Sequence, residues 1–123
     1  MIYFAMIFLH IIDDFCLQGI LASMKQKSWW TKQEQYKEMY EHDYIVALLM
    51  HSFSWSFMIM LPIAFAMKFE MSFFYIIALF VNEFIHCIVD DLKANKMKIS
   101  LFTDQIIHMC QISLTYAIFK IVI

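Results

Sequence analysis

The chain alternates long apolar segments with short polar connections. The clearest apolar segment, residues 44–67, contains no Asp, Glu, Lys or Arg. Residues 1–24, 71–90 and 101–123 are apolar apart from a few polar positions. Each segment is near the ~20 residues that a helix needs to cross a hydrocarbon core of ~30 Å. We therefore predict an all-α membrane protein, in which residues 1–123 form a single domain of four transmembrane helices.

The connection between the first two segments, residues 25–43, is too polar to be a span. Trp29 and Trp30 suit a membrane–water interface, and Lys32, Tyr36 and Tyr40 follow helical spacing. This pattern predicts a short interfacial helix between the first and second spans.

Composition supports a membrane protein and excludes one class of partner. Hydrophobic residues make up 63% of the chain, and one Gly and one Pro leave few turn residues for an all-β fold. The net charge is -2 and no basic run is present, so no nucleic-acid partner is expected. The cysteines stand singly in apolar segments and are interpreted as small packing residues: Cys16, Cys87 and Cys110.

Lysine distribution predicts the orientation. The first and third connections carry most of the lysines, whereas the opposite side has only Lys68 and Lys120. By the positive-inside rule those two connections are cytoplasmic and both termini lie outside. We expect a multi-pass protein of the cell (inner) membrane, with the lipid bilayer as its partner and a homo-oligomer as a compatible state.

Ionisable residues inside the predicted spans are the main functional signal. Each costs ~2.5–3.5 kcal/mol on insertion scales, so it calls for a partner or a purpose. Three spans each carry a His/Asp pair at spacing i, i+4, which places both side chains on one helix face: His10 with Asp14, His86 with Asp90, and Asp104 with His108.

Further polar residues extend these faces. The second span adds His51, Gln18 continues the face of the first pair, and Glu83 precedes the second pair by one turn. Counted from the cytoplasmic ends, all of them fall in the cytoplasmic half of the bilayer, which predicts one shared cavity. The other polar residues of these segments are assigned to solvent, loop or helix-end roles: Asp13, Asp91 and His42.

Imidazole and carboxylate groups in this number favour a divalent metal site for Zn²⁺, Mn²⁺ or Fe²⁺. The predicted ligands are His10, Asp14, His51, His86, Asp90, Asp104 and His108. They exceed the four of one tetrahedral site, and two ions ~3.5–4 Å apart would use them for metal-dependent hydrolysis. Gln18 and Glu83 would act beside the ligands in catalysis, and Lys93 suits an anionic substrate group.

Two other functions fit the same residues. The buried charges would also serve an ion or proton pathway, although the outer halves of the spans offer fewer polar groups. Alternatively, they form a structural polar core that holds a non-catalytic bundle together.

The motifs "HIIDDFCLQ", "LLMHS", "FIHCIVDDLK" and "FTDQIIH" occur in this order along nearly the whole chain. In this the chain resembles the small bacterial and phage membrane proteins of domain-of-unknown-function family 3307. The resemblance implies that Asp14 is functional in preference to Asp13, and Asp90 in preference to Asp91. It implies no particular activity.

Overall fold

The regular structure of the described residues is entirely helical. A computed structural model describes residues 1–32 and 38–121, and within these ranges it contains six α-helices and one π-helical turn. The α-helices are α1 (Ile2–Ile12), α2 (Leu21–Met24), α3 (Lys27–Thr31), α4 (Asp43–Ala66), α5 (Phe73–Ala94) and α6 (Leu101–Phe119). The all-α prediction is confirmed for this part of the chain.

Two helices in the described ranges, α4 and α5, are long and apolar enough to cross a membrane. They lie within a few residues of the predicted segments 44–67 and 71–90. Helices α5 and α6 begin at serine caps, where Ser72 accepts a hydrogen bond from the backbone N–H of Tyr75 and Ser100 accepts one from Thr103. Helix α6 falls inside the predicted segment 101–123.

The first predicted segment is wrong as a continuous helix to Met24. Helix α1 continues into a π-helical turn, Asp13–Leu17, and helical structure stops before Gln18. Gly19 then adopts a φ of +48°, which is the left-handed region where glycine lacks the steric penalty of a Cβ. The chain turns at this point, and the short helix α2 leads back towards the other helices.

The predicted interfacial helix is only partly described. Helix α3 is five residues long, and the indole N–H of Trp30 anchors it by donating to the backbone carbonyl of Met24. Residues 33–37, which include Tyr36, lie outside the described residues. The same connection is attached to the end of α5, because the Asn95 amide donates to the carbonyl of Lys25 (3.1 Å) and accepts from the N–H of Lys27 (2.7 Å).

Helix α4 is the central element of the bundle. It packs most extensively on α5 and α1, and α6 closes the bundle against α5 and α1. Apolar side chains fill the interior towards the end where α4 stops and α5 starts: Met6, Trp55, Ile59, Met60, Ile63, Ala64, Tyr75, Ile112 and Phe119. This apolar core closes one end of the bundle.

At the other end of the bundle, polar side chains lie inside and apolar side chains lie outside. The buried side chains there include histidines and aspartates, whereas large apolar side chains cover the outside of the bundle. The exposed residues include Phe8 on α1, Met50 on α4, Phe84 on α5 and Leu114 on α6. Large apolar side chains are thus exposed on all four of these helices.

The core makes a direct prediction on α6. Ile112 is fully buried, so Ile112→Ala should lower the free energy of unfolding by roughly 2–5 kcal/mol through a cavity. Leu114→Ala is the matched control, because Leu114 is 64% exposed on the same helix. Unfolding in detergent, followed by circular dichroism, measures both. Equal losses in the two variants would contradict the placement of this core.

Candidate functional site: a buried histidine and aspartate cluster

The structure brings all seven predicted metal ligands into one region of the bundle. We call this region, together with Lys25 and Lys93, the polar cluster. All four histidines are at most 1% exposed, as are Asp90 and Asp104, while the side chain of Asp14 is 9% exposed. The cluster members are His10, Asp14, His51, His86, Asp90, Asp104 and His108, contributed by α1 with its π turn, α4, α5 and α6.

The Asp90 carboxylate lies at the centre of the polar cluster. Its Oδ2 is 2.5 Å from Lys25 Nζ and 2.6 Å from His51 Nε2. His86 Nε2 is 3.8 Å from the same oxygen, since both residues share one face of α5. The other oxygen, Oδ1, is 3.6 Å from Lys93 Nζ and 3.7 Å from His108 Nε2. Charged or polar groups from four parts of the chain therefore meet at one side chain.

Asp104 forms a second carboxylate centre on α6. Lys93 Nζ donates to its Oδ2 at 2.6 Å, and the Gln105 amide donates to the same oxygen at 3.1 Å. Its Oδ1 faces His108 Nε2 at 3.3 Å. Lys93 thus links the two carboxylates, because its ammonium group is close to both Asp90 and Asp104.

The π turn brings a further residue of the first helix, Asp13, into the interior beside Asp14. A π turn pairs residues five apart, so Asp13 and Gln18 lie on the same side. The amide of Gln18 donates to Asp13 Oδ2 at 2.6 Å, and the Ser54 hydroxyl donates to Oδ1 at 2.7 Å. The assignment of Asp13 to a solvent or helix-end role is therefore wrong, because the residue is fully buried. Gln18 thus links two groups, because its amide oxygen also contacts His51 Nδ1.

His10 has protein partners at both ring nitrogens. The indole of Trp55 donates to Nδ1 at 2.7 Å, and an indole N–H cannot accept, so this nitrogen carries the lone pair. Nε2 then carries the hydrogen and donates to the side-chain oxygen of Gln105 at 3.1 Å. The Gln105 amide nitrogen also lies 3.4 Å from Asp14 Oδ2. Both nitrogens of the predicted ligand His10 are thus used in hydrogen bonds.

Three aromatic rings stack through the middle of the polar cluster. Trp55 lies on His86 with ring centroids 4.2 Å apart and an interplanar angle of 19°. His86 lies on His108 at the same separation and an angle of 26°. This stacking fixes both imidazole rings from their faces and leaves their edges, which carry the nitrogens, for other contacts.

Several buried polar atoms have no hydrogen-bond partner among the described residues. These atoms include Asp104 Oδ1, His108 Nε2, His108 Nδ1 and His86 Nδ1. A buried polar atom without a partner costs roughly 1–3 kcal/mol, so a group of them on one site calls for an explanation. Two of them, Asp104 Oδ1 and His108 Nε2, face one another in the polar cluster.

The charged groups of this region do not balance without a further cation. Four carboxylates line this interior, namely those of Asp13, Asp14, Asp90 and Asp104, against the two ammonium groups of Lys25 and Lys93. When all four are ionised, the negative charges exceed the lysine charges by two. Burial makes uncompensated charge expensive. One divalent cation, or protons on two of the histidines, would balance it.

Some predicted site residues take other positions. Within the described ranges Glu83 makes no hydrogen bond or ion pair to the polar cluster, and its Oε2 is buried without a hydrogen-bond partner. Cys16 and Cys110 are exposed, so their assignment as packing residues is wrong, whereas Cys87 is half-buried.

Sequence reasoning missed Lys25 and Trp55, whereas it identified Gln105 only as a position of the motif "FTDQIIH" without a role of its own. Lys25 is 8% exposed, although its position in a lysine-bearing connection indicates an ordinary flanking residue. No local pattern distinguishes it from Lys27 two residues later, because its role depends on the turn at Gly19. Trp55 offered a weak signal, since it follows His51 by four residues on the same helix face.

A smaller polar group lies one helical turn from the polar cluster, towards the apolar core. The Gln111 amide donates to both the backbone and the side-chain oxygen of Asn82, at 2.8 and 2.9 Å. The Thr115 hydroxyl donates to the same Asn82 side-chain oxygen at 3.1 Å. These bonds join α5 to α6, and the apolar core lies beyond them.

Comparison with known proteins adds no relative. No family model, no curated protein and no solved structure matches the chain. The resemblance to family 3307 therefore stays a prediction that rests on the motifs alone.

Lys25 makes the site testable without knowledge of its ligand. Lys25→Met should lower the free energy of unfolding by roughly 3–5 kcal/mol, because Asp90 would lose a buried charge partner. Lys27→Met is the control, since Lys27 is exposed in the same connection. The double variant Lys25→Met with Asp90→Asn should recover part of the loss, as measured by chemical unfolding in detergent. Equal stability of Lys25→Met and Lys27→Met would contradict a buried Lys25–Asp90 pair.

Proposed function

We propose that the protein is a four-span membrane protein that binds one divalent transition-metal ion in its polar cluster and uses it for hydrolysis. The ligands are His86, Asp90 and His108, whose candidate ligand atoms all lie within 4.8 Å of one another. Asp104 Oδ1 and His51 Nε2 are the neighbouring donors. Asp14 belongs to an adjacent group with His51 and His86.

The spacing of donor atoms carries this proposal. Ligands about 2.0–2.2 Å from a tetrahedral ion lie roughly 3.3–3.6 Å from one another. His108 Nε2 is 3.3 Å from Asp104 Oδ1 and 3.7 Å from Asp90 Oδ1. A ring nitrogen of His86 lies within 4.8 Å of the ligand atoms of Asp90 and His108. An ion shared by these atoms would also give partners to the buried Asp104 Oδ1 and His108 Nε2. Two histidines with carboxylates suit Zn²⁺, Mn²⁺ or Fe²⁺.

The charge balance favours one ion over two. Lys25 already binds Asp90 Oδ2, and Lys93 already binds Asp104 Oδ2. One oxygen of each carboxylate remains for metal. A single divalent ion offsets the two excess negative charges, whereas a second ion would leave the cluster positively charged.

Hydrolysis is the chemistry that this set of residues suits best. A bound divalent ion would supply Lewis acidity for cleavage of a phosphoryl or acyl bond. Lys93 is partly exposed beside Asp90 and Asp104, so its ammonium group would hold an anionic substrate group at the rim. The stacked Trp55, His86 and His108 would exclude water from the other side of the site.

Four spans are supported by the exterior of the bundle. Large apolar side chains are exposed on α1 and α6 as well as on α4 and α5, including Phe4, Phe8, Leu114 and Ile118. Lipid would cover these side chains on all four helices. The lysine distribution supports a polar cluster near the cytoplasmic face of the cell membrane, with both termini outside.

Metal content is the first test. Detergent-purified protein should hold about one equivalent of zinc, manganese or iron per chain, and His108→Ala or Asp104→Ala should lose it because each removes a donor to the ion. His42→Ala is the matched control, since His42 is exposed outside the polar cluster. Mass spectrometry of the metals, before and after reloading, gives the stoichiometry.

Two results would contradict the metal proposal. One is the absence of metal even after reloading, and the other is equal metal loss in His42→Ala. Proton flux in liposomes by the metal-free protein would instead favour the second candidate function, proton translocation. Its supporting observation is the hydrogen-bonded series Asp13, Gln18 and His51, which ends at Asp90. The apolar core that closes the bundle stands against a complete pathway.

Cysteine labelling tests the four spans. In a background without Cys16, Cys87 and Cys110, cysteines at positions 27 and 98 should be shielded from an impermeant maleimide in intact cells. Cysteines at positions 2, 69 and 121 should react, because the lysine-bearing connections face the cytoplasm. Equal reactivity at positions 98 and 121 would show that α6 does not cross the membrane.

A further inference from the structure

Lys25 places an ammonium group inside the polar cluster. Only 8% of the residue is exposed, and its Nζ lies 2.5 Å from Asp90 Oδ2 and 3.0 Å from His51 Nε2. The backbone around it is fixed, because Asn95 donates to the carbonyl of Lys25 and accepts from the N–H of Lys27. A lysine that merely flanks a membrane helix extends its ammonium group towards water. The fold instead holds a positive charge at this one position.

Side chains that bind metal ions surround this ammonium group. His51 and Asp90 both contact Nζ, and His51 Nε2 is 2.6 Å from Asp90 Oδ2. Asp14 adds a third donor, because its carboxylate belongs to a group with His51 and His86 whose candidate ligand atoms lie within 4.8 Å of one another. Asp14, His51 and one oxygen of Asp90 are a donor set that suits a divalent ion with water in a remaining position.

Asp90 connects this position with the metal site proposed above. Its Oδ1 faces His108 Nε2 at 3.7 Å, whereas its Oδ2 faces Lys25. A carboxylate whose two oxygens bind different cations bridges them, and two-metal sites hold their ions ~3.5–4 Å apart. In this protein one of the two bridged cations would be the metal ion, and the other is the ammonium group of Lys25.

We propose that Lys25 occupies a second cation site of the polar cluster, formed by Asp14, His51 and Asp90, and thereby limits the cluster to one metal ion. For the ion bound at Asp90 Oδ1 the inference rests on the proposed function. The second site does not require that ion, because its donors already hold a cation that belongs to the chain.

The charge of the polar cluster explains why Lys25 excludes a second ion. With the four carboxylates ionised and both lysines charged, one divalent ion makes the region neutral. A second ion would then leave two positive charges in excess, and uncompensated buried charge is expensive. Without Lys25, one ion leaves one negative charge in excess and two ions leave one positive charge. A second ion therefore no longer meets a larger penalty than the first state does.

Lys25→Ala should convert the polar cluster into a site for two ions, because it removes both the charge and the side-chain volume. After dialysis against manganese, mass spectrometry should find about one equivalent per chain more in Lys25→Ala than in the wild type. Electron paramagnetic resonance should show coupling between the two Mn²⁺ ions, since they would lie ~3.5–4 Å apart. Lys27→Ala is the matched control, because Lys27 is exposed in the same connection, and it should bind as much manganese as the wild type.

Methylammonium provides a second readout, because it carries the charged group of lysine without the tether. It should displace the additional Mn²⁺ of Lys25→Ala and leave the manganese content of the wild type unchanged. Asn95→Leu retains every member of the polar cluster but loses both bonds to the backbone around Lys25. This variant should take up the additional ion at manganese concentrations at which the wild type does not.

Equal manganese content in Lys25→Ala and the wild type would overturn the inference. An additional equivalent that neither couples to the first ion nor is displaced by methylammonium would lie elsewhere, and it would overturn the inference as well. If Lys25→Ala does not fold, equal content in Asn95→Leu and the wild type at every manganese concentration has the same meaning. Failure of the proposed function looks different: the wild type would hold no manganese, while Lys25→Ala would hold one equivalent that methylammonium displaces.

Discussion

The constraint on which the structure depends is the burial of several carboxylates among imidazoles inside an otherwise apolar bundle. Ionised aspartates in such surroundings are expensive unless each has a partner, and the chain supplies partners from every side. Lys25 and Lys93 bind opposite oxygens of Asp90, and Lys93 also reaches Asp104. The positions of α1, α5 and α6 around α4 follow from this requirement as much as from the packing of apolar side chains, because each helix contributes a group that another helix must neutralise.

The two ends of the bundle therefore obey different rules. At the apolar end, Ile59, Ile63 and Ile112 fill space and tolerate substitutions of similar volume. At the polar end, the stacked rings of Trp55, His86 and His108 hold one another in place. Their nitrogen atoms must point at particular partners, so substitutions of similar volume are not equivalent there. The Asn82–Gln111 bonds mark the boundary between the two regions and hold α5 and α6 together there.

Helical spacing predicts much of the site. There are physical reasons why it does not predict the rest. The pairs His86 with Asp90 and Asp104 with His108 lie on regular α-helices, so their i, i+4 spacing correctly predicts a shared face. The pair on the first helix also lies together, with His10 Nδ1 3.7 Å from Asp14 Oδ2. The π turn additionally brings Asp13 inward, which α-helical spacing does not predict. Lys25 depends on the turn at Gly19, a tertiary feature that lysine counting cannot reveal. Helix type was predictable from apolar segments, while the early end of the first helix was not.

The clamp that Asn95 forms on the backbone around Lys25 has a consequence for biosynthesis. In the order of synthesis, α3, α4 and most of α5 lie between Lys25 and its two partners, Asp90 and Asn95. In the proposed four-span protein, the ammonium group of Lys25 gains its partner Asp90 only after α5 has been made and inserted. Of the groups around Asp90, His86 and Lys93 lie on its own helix, and α6 contributes His108. The set of groups around Asp90 is therefore complete only once α6 is present, so a chain truncated before α6 would leave Asp90 without His108.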